Sequence, residues 1–240
     1  MKRAIVIGAT SGIGKETAKK LAENDYIVGL TGRREDRLME LQKSIITKTF
    51  IKRIDVCRTD DAIELLKELI FEMGGLDLIV ICSGIVRPNY EVNWDKEKET
   101  INTNVLGFTA MADVASQYFI NQNHGHIVGL SSMSSITYSD RTNAYCASKA
   151  FVSSYLRGLR ILFNKSNKNI YVTEVLPGWV YTEMTQSADM SKVFWASTAT
   201  NAADQIYDAI INKKKKIYVS RRWRILAWCI NMLPEGLRVK

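Results

Sequence analysis

Short apolar runs alternate with amphipathic segments along the whole 240-residue chain, and this alternation restricts the fold more than any single residue does. Residues 3–9 (RAIVIGA), 26–32 (YIVGLTG), 49–56 (TFIKRIDV), 76–84 (LDLIVICSG), 125–132 (GHIVGLSS), 170–178 (IYVTEVLPG) and 216–220 (KIYVS) predict strands. Segments 12–24, 35–46, 59–73, 95–120, 143–163 and 201–212 predict helices between them. Strands that are apolar nearly throughout need cover on both faces. Strict strand–helix alternation predicts an α/β fold: a doubly wound, mostly parallel, Rossmann-like sheet with helices on both faces, in a single domain. In such sheets ligands sit beyond the carboxyl ends of the strands.

Composition excludes several classes. The formal charge is +8, partly from KKKK at 213–216 and RRWR at 221–224. Solvated surface explains it, as does attraction to phosphorylated ligands, anionic lipid or nucleic acid. No nucleic-acid recognition motif or cluster of stacking aromatics accompanies the charge, so no nucleic-acid partner is expected. Cys57, Cys82, Cys146 and Cys229 form no CxxC pair, and His124 and His126 are the only histidines. No metal site is expected, and scattered thiols suit a reducing, cytoplasmic compartment. The apolar run after Lys2 and Arg3 is about five residues, short of the roughly 7–15 of a secretory leader. No stretch reaches the roughly 20 apolar residues of a membrane span.

Chemistry gathers at the strand ends. In GATSGIG (8–14), Gly8, Gly12 and Gly14 let the backbone turn tightly, with Thr10, Ser11 and Ile13 between them. The helix that follows offers free N–H groups and its positive dipole end to a phosphate, so the turn predicts dinucleotide binding. In YCASK, Tyr145 and Lys149 lie one helical turn apart with only small residues between. A free phenol has a pKa near 10, and a neighbouring ammonium lowers it, which would prepare the tyrosine for acid–base work. His124 and His126, beside Gly125, read as loop residues.

Taken in order, GATSGIG, Asp55-Val56, Cys82-Ser83-Gly84, NVLG (104–107), Ser131-Ser132, YCASK and PGWVYT (177–182) resemble the short-chain dehydrogenase/reductase family. The likeness runs from Gly8 to about Val219. It implies a catalytic tetrad of Asn104, Ser132, Tyr145 and Lys149. Ser132 is chosen among crowded serines because the family spaces serine and tyrosine thirteen apart, and Asn104 over Asn102 because Gly107 follows three later. Asn104 would anchor a water in a proton path from Lys149, which would also hold the nicotinamide ribose. Asp55 and Val56 would contact adenine, Gly84 would let the backbone pass the ribose, Pro177, Gly178 and Thr182 would hold the nicotinamide side, and Ser83 and Val180 would join the cofactor contacts. Two departures stand out: Ile81-Cys82-Ser83-Gly84 replaces the family's Asn-Asn-Ala-Gly, and Ile7 replaces a threonine.

An acid at the end of the second strand would bind a ribose 2′-hydroxyl. Gly32 stands there, followed by Arg33 and Arg34, whose guanidinium groups suit a 2′-phosphate. The expected cofactor is therefore NADP (NADPH), and the expected activity is interconversion of a carbonyl and an alcohol by hydride transfer. An epimerase or dehydratase on the same fold, or a dinucleotide-sensing protein, are the alternatives. Residues 179–200 would form the substrate loop; Trp179, Tyr181, Met184, Met190, Val193, Phe194 and Trp195 predict a lipophilic small-molecule substrate. Phe151, Tyr155, Leu159 and Leu162 on helix 143–163 predict a homodimer or homotetramer. Residues 1–220 are expected to form the dinucleotide-binding and catalytic unit and 221–240 an amphipathic tail. A tail helix over 222–233 would align Ile225, Trp228, Cys229 and Met232. Three placements are open to it: over the substrate pocket, against its own or a partner subunit, or at an anionic membrane surface as a peripheral contact.

Overall fold

A computed structural model describes residues 1–186, 193, 195–220, 222–232 and 234. Met190 and Phe194 of the expected substrate loop lie outside the described residues. Nine strands and eight α-helices follow one another among the described residues. They are β1 (Arg3–Ile7), α1 (Gly12–Ala22), β2 (Ile27–Gly32), α2 (Glu35–Lys43), β3 (Thr49–Arg53), α3 (Thr59–Glu72), β4 (Leu78–Ile81), α4 (Trp94–Ile101), α5 (Phe108–Gln122) and β5 (His124–Leu130). After them come α6 (Asn143–Lys165), β6 (Asn169–Pro177), β7 (Val180–Tyr181), β8 (Ser197–Thr198), α7 (Ala199–Ile211), β9 (Lys216–Val219) and α8 (Trp223–Met232).

Seven of these strands form one sheet in the order β3-β2-β1-β4-β5-β6-β9. Every neighbouring pair is parallel. Alternate strand residues feed opposite faces, as the period of two requires. Ile5, Ile7, Ile79 and Ile81 pack with Leu66 and Leu69 of α3, Phe108 and Phe119 of α5, and Val152 and Leu156 of α6. Val6, Val28, Leu30 and Val80 pack on the other face with Leu21 of α1, Leu38 of α2 and Ile206 of α7. The short pair β7–β8 lies apart, inside the segment read as a substrate loop.

The strand order reverses between β1 and β4, the crevice where such sheets bind ligands. There the chain leaves the sheet early. β1, β3 and β4 end two or three residues before their apolar runs do, because Gly8, Asp55 and Cys82–Gly84 are spent on loops at the crevice rather than on sheet hydrogen bonds, whereas β2 keeps its whole run to Gly32. The long helix expected over 95–120 is likewise not uniform. Asn93 caps α4 by accepting from the backbone N–H of Asp95 (3.0 Å) and Lys96 (3.2 Å). A π-helical turn, Asn102–Gly107, then separates α4 from α5. Such turns occur frequently at functional sites. Gly107 closes this one because a Cβ there would lie 2.8 Å from the backbone oxygen of Val56.

One expectation is corrected, and one is narrowed. His124 and His126 belong to β5, not to a loop, and His126 is buried against Thr173 Oγ1 at 2.8 Å. Burial pushes its pKa down to about 4, so it is a neutral core group near pH 7. In the tail, α8 turns Ala227 inward, while Ile225, Trp228, Cys229 and Met232 are exposed, so the stripe does not pack on its own subunit, which leaves the placements at a partner subunit or an anionic surface open. Among the described residues, no helix is long and apolar enough to cross a membrane.

Candidate active site

A cleft of about 440 Å³ opens at the carboxyl ends of the strands. Its floor is the glycine turn. Gly8 has a φ of +91° and Gly12 of +55°, both in the region that side chains disfavour. A Cβ on Gly8 would lie 2.8 Å from the Ser83 nitrogen, and one on Gly14 only 2.2 Å from the Gly8 oxygen. The turn between β1 and α1 therefore seats directly on the segment after β4, and only glycine permits it. Every cofactor residue expected from the sequence lines this cleft: Gly8, Thr10–Gly14, Arg33, Arg34, Asp55, Val56, Ser83, Gly84, Tyr145, Lys149, Pro177, Gly178, Val180 and Thr182.

Ser132, Tyr145 and Lys149 share one wall of the same cleft. Lys149 is 6% exposed, and its ammonium donates to the backbone oxygen of Leu130 at 2.9 Å. That bond ties α6 to the end of β5. Burial lowers the Lys149 pKa from 10.5 to about 8, which still leaves it mostly charged at neutral pH. Gly84 makes room for it, since a Cβ there would sit 3.2 Å from the ammonium nitrogen.

Tyr145 behaves differently from the expectation. The lysine was expected to lower the phenol's pKa. Instead burial raises it above 10, and a hydrogen bond with Ser132 only partly offsets the rise. The ammonium lies 5.8 Å from the ring centre and spends a hydrogen bond on Leu130. Desolvation therefore wins over charge attraction, and Tyr145 holds its proton firmly at neutral pH. Cys82, where the family has an amide, is pushed up to about 12 by burial and remains a thiol.

Asn104 is brought against the site but not to the cleft wall. Its Oδ1 accepts from the backbone N–H of Ile85 (2.9 Å), and its Nδ2 donates to the Ile85 oxygen (2.9 Å) and to Ser148 Oγ (3.0 Å). The side chain clamps the strand-four loop to α6, so its amide protons are engaged within the protein rather than offered to a water.

The residues fit a dinucleotide. Ser83 Oγ is buried on the cleft wall with no hydrogen-bond partner among the described residues, a polar atom suited to a ligand hydroxyl. A Cβ on Gly32 would lie 2.6 Å from Thr10 Cγ2, which explains why no acid ends β2. That corner is left to Arg33, which is exposed, and to Arg34. Among the described residues, no group of three or more His, Cys, Asp and Glu is placed to hold a metal ion.

Two residues at the site carry no sequence signal. Trp223, the first residue of α8, covers Gly178, where a Cβ would lie 2.2 Å from the indole. It also meets Trp195 edge to face, ring centres 6.2 Å apart. The tail thus buttresses the far lip of the cleft. The second residue is Glu183, which pairs with Arg34 across the cleft mouth at 2.8 Å. Both contacts join segments distant in sequence, and no local pattern reveals them.

Comparison with known proteins agrees with this geometry. Residues 2–192 match the model of the short chain dehydrogenase family. An uncharacterized oxidoreductase of Myxococcus xanthus is 31% identical over 203 residues, covering 82% of this chain and 79% of the relative. An NADP-dependent 3-hydroxy acid dehydrogenase, YdfG, of Shigella flexneri is 28% identical, covering 73% of this chain and 71% of its own. Among solved structures, ElxO with NADP bound superposes with a TM-score of 0.80 at 23% identity, covering 92% of this chain and 98% of ElxO. The closed form of serine dehydrogenase complexed with NADP+ superposes with the same TM-score of 0.80 at 26% identity, covering 90% of this chain and 92% of that one. The glycine turn, the Ser132–Tyr145–Lys149 wall and a family match spanning most of the sequence lead to one conclusion: the chain belongs to the short-chain dehydrogenase family.

Proposed function

We propose that the chain is an NADPH-dependent oxidoreductase interconverting a carbonyl compound and its alcohol. The observation that carries this reading is the single cleft wall on which Ser132, Tyr145 and Lys149 stand together, facing the glycine turn. The cofactor assignment is supported by Gly32, Arg33 and Arg34 at the end of β2, and by the NADP in the names of a relative and of solved structures.

The cofactor, when bound, supplies the hydride that reaches the carbonyl carbon. The matching proton passes from Tyr145 Oη to the carbonyl oxygen. A phenol held above pKa 10 by burial carries that proton throughout the neutral range. Ser132 Oγ donates a hydrogen bond to the same oxygen as negative charge develops on it. The Lys149 ammonium steadies the phenolate left behind, and its remaining protons hold a ribose hydroxyl. Asn104 acts as a positioning residue, because it fixes Ile85 and Ser148 around Lys149 rather than facing the cleft. The reverse reaction needs the phenolate, so alcohol oxidation should gain as pH rises while reduction holds at neutral pH.

A lipophilic substrate is supported by the apolar far lip, where Met184 lines the cleft and Trp195 and Trp223 stand behind Gly178. Homo-oligomer formation is supported by α6, which leaves Phe151, Ile161 and Leu162 exposed although Leu159 is buried. A cytoplasmic location is supported by four cysteines that are all free thiols.

Three outcomes are expected. Tyr145→Phe removes only the proposed proton, so it should bind NADPH normally and lose nearly all turnover. Retention of more than about a tenth of wild-type kcat, a loss under ~1.4 kcal/mol, would exclude this role. Arg33→Ala should weaken NADPH binding by ~1.5–3 kcal/mol and spare NADH, read by fluorescence titration. Equal losses for both nucleotides would contradict the phosphate contact. Lys149→Met should abolish activity yet raise thermal stability at pH 7. The buried ammonium disfavours the fold while the group is charged in both states, below its folded pKa of about 8. That cost fades as pH climbs from about 8 to the unfolded value near 10.5, so the variant's advantage in Tm should shrink over that window. A variant less stable than wild type at pH 7 would contradict the buried-charge account.

A further inference from the structure

The two arginines after β2 are not equivalent. Arg33 has no hydrogen bond or ion pair among the described residues. Arg34 is fully engaged. Its Nη2 donates to Thr10 Oγ1 and Ser11 Oγ, both at 2.9 Å, and its Nη1 donates to Glu183 Oε2 at 2.8 Å. The other carboxylate oxygen of Glu183 accepts from Arg37 Nη1, one turn further along α2. One carboxylate therefore bridges two guanidinium groups at the start of α2 and offsets one of their two charges.

Glu183 reaches them from the opposite lip. It begins a 3₁₀ turn, Glu183–Thr185, directly after Thr182. The Thr182 methyl lies 3.0 Å from where a Cβ on Gly12 would stand, so the turn is held over the glycine floor. The two arginines keep the Glu183 carboxyl below the usual carboxylate range, so its charge persists through neutral pH.

We propose that Glu183 is a cofactor-selectivity residue: it competes with the 2′-phosphate of NADPH for Arg34, and so sets the margin by which the cleft prefers NADPH over NADH. The inference rests on the NADPH reading above. A 2′-phosphate is a stronger rival for a guanidinium than a carboxylate, with more charge and three acceptor oxygens. The Arg34 and Glu183 side chains are 39% and 42% exposed, and pairs this open to water exchange partners easily. Breaking the pair to admit the phosphate nonetheless draws on the phosphate's binding energy. A nucleotide without a 2′-phosphate leaves the pair in place and is indifferent to it.

The test is Glu183→Gln, which keeps the shape and removes the charge, with Glu183→Ala as a second variant that cannot re-form the hydrogen bonds. Wild type and variants are titrated with NADPH, NADH and adenosine 2′,5′-bisphosphate, followed by quenching of tryptophan fluorescence at about 0.15 M salt, where distant charges are screened. The Kd for NADPH and for the bisphosphate should fall ~3- to 10-fold, as expected for loss of a weak competing pair, while that for NADH moves less than about twofold. In an Arg34→Ala background the same substitution should no longer tighten the bisphosphate. Unchanged or weakened NADPH and bisphosphate binding, an equal gain for NADH, or a gain that survives Arg34→Ala would overturn the proposal. The wild-type ratio of NADPH to NADH affinity tests the cofactor reading separately, and a preference for NADH there would sink that reading without being mistaken for the effect of Glu183.

Discussion

The hydrogen bond from the Lys149 ammonium to the Leu130 carbonyl holds the candidate site together. It joins the long helix α6 to the end of β5, beside the central strand β4, and so sets the wall that bears Tyr145 and Ser132. A charge buried to this degree costs stability, and the same desolvation lowers its pKa to about 8. The surroundings are built to admit it: Gly84 leaves space beside the nitrogen, and Asn104 fastens Ile85 and Ser148 around it. Below the lysine, Ser131 Oγ donates to the Lys149 carbonyl at 2.9 Å, which secures the same helical turn from its other side.

The phenol's environment follows from the same burial. Desolvation raises the Tyr145 pKa, so the residue rests as an acid rather than as a base. A general acid for carbonyl reduction needs its proton at hand, and a phenol above pKa 10 always has it near neutrality. A base for alcohol oxidation needs the phenolate, which this environment disfavours. At the other end of the cleft, the exposed Arg33 and the paired Arg34 divide attraction and restraint between them.

Much of this was legible in the chain because it depends on residues with few substitutes. The glycine turn is visible since Gly8 and Gly14 sit where a Cβ would strike backbone atoms. Tyr145 and Lys149 are visible since one helical turn separates them, and the doubly wound parallel sheet follows from strand–helix alternation, although the strand order is seen only in the fold. What was hidden depends on contacts made only after folding. Arg34 and Glu183 are 149 positions apart, and a lone acid in a loop carries no signal of its partner. Trp223 meets Gly178 only because α8 folds back from the edge strand β9. His126 reads as a loop residue beside Gly125, yet pairing of β5 with β6 buries it against Thr173. The π-helical turn that aims Asn104 inward breaks a helical periodicity that looks continuous in sequence. The sign of the Tyr145 shift was missed because spacing reveals the neighbouring charge but not the desolvation that outweighs it.

The most direct test of the central claim is NADPH consumption by the purified protein against a panel of aldehydes and ketones graded in apolar size. The account predicts stoichiometric conversion of NADPH and carbonyl to NADP and alcohol, with kcat/KM rising with the apolar surface of the carbonyl compound. Tight NADPH binding with no turnover of any member of the panel would contradict it and leave the cleft as a nucleotide-binding site without reductase chemistry.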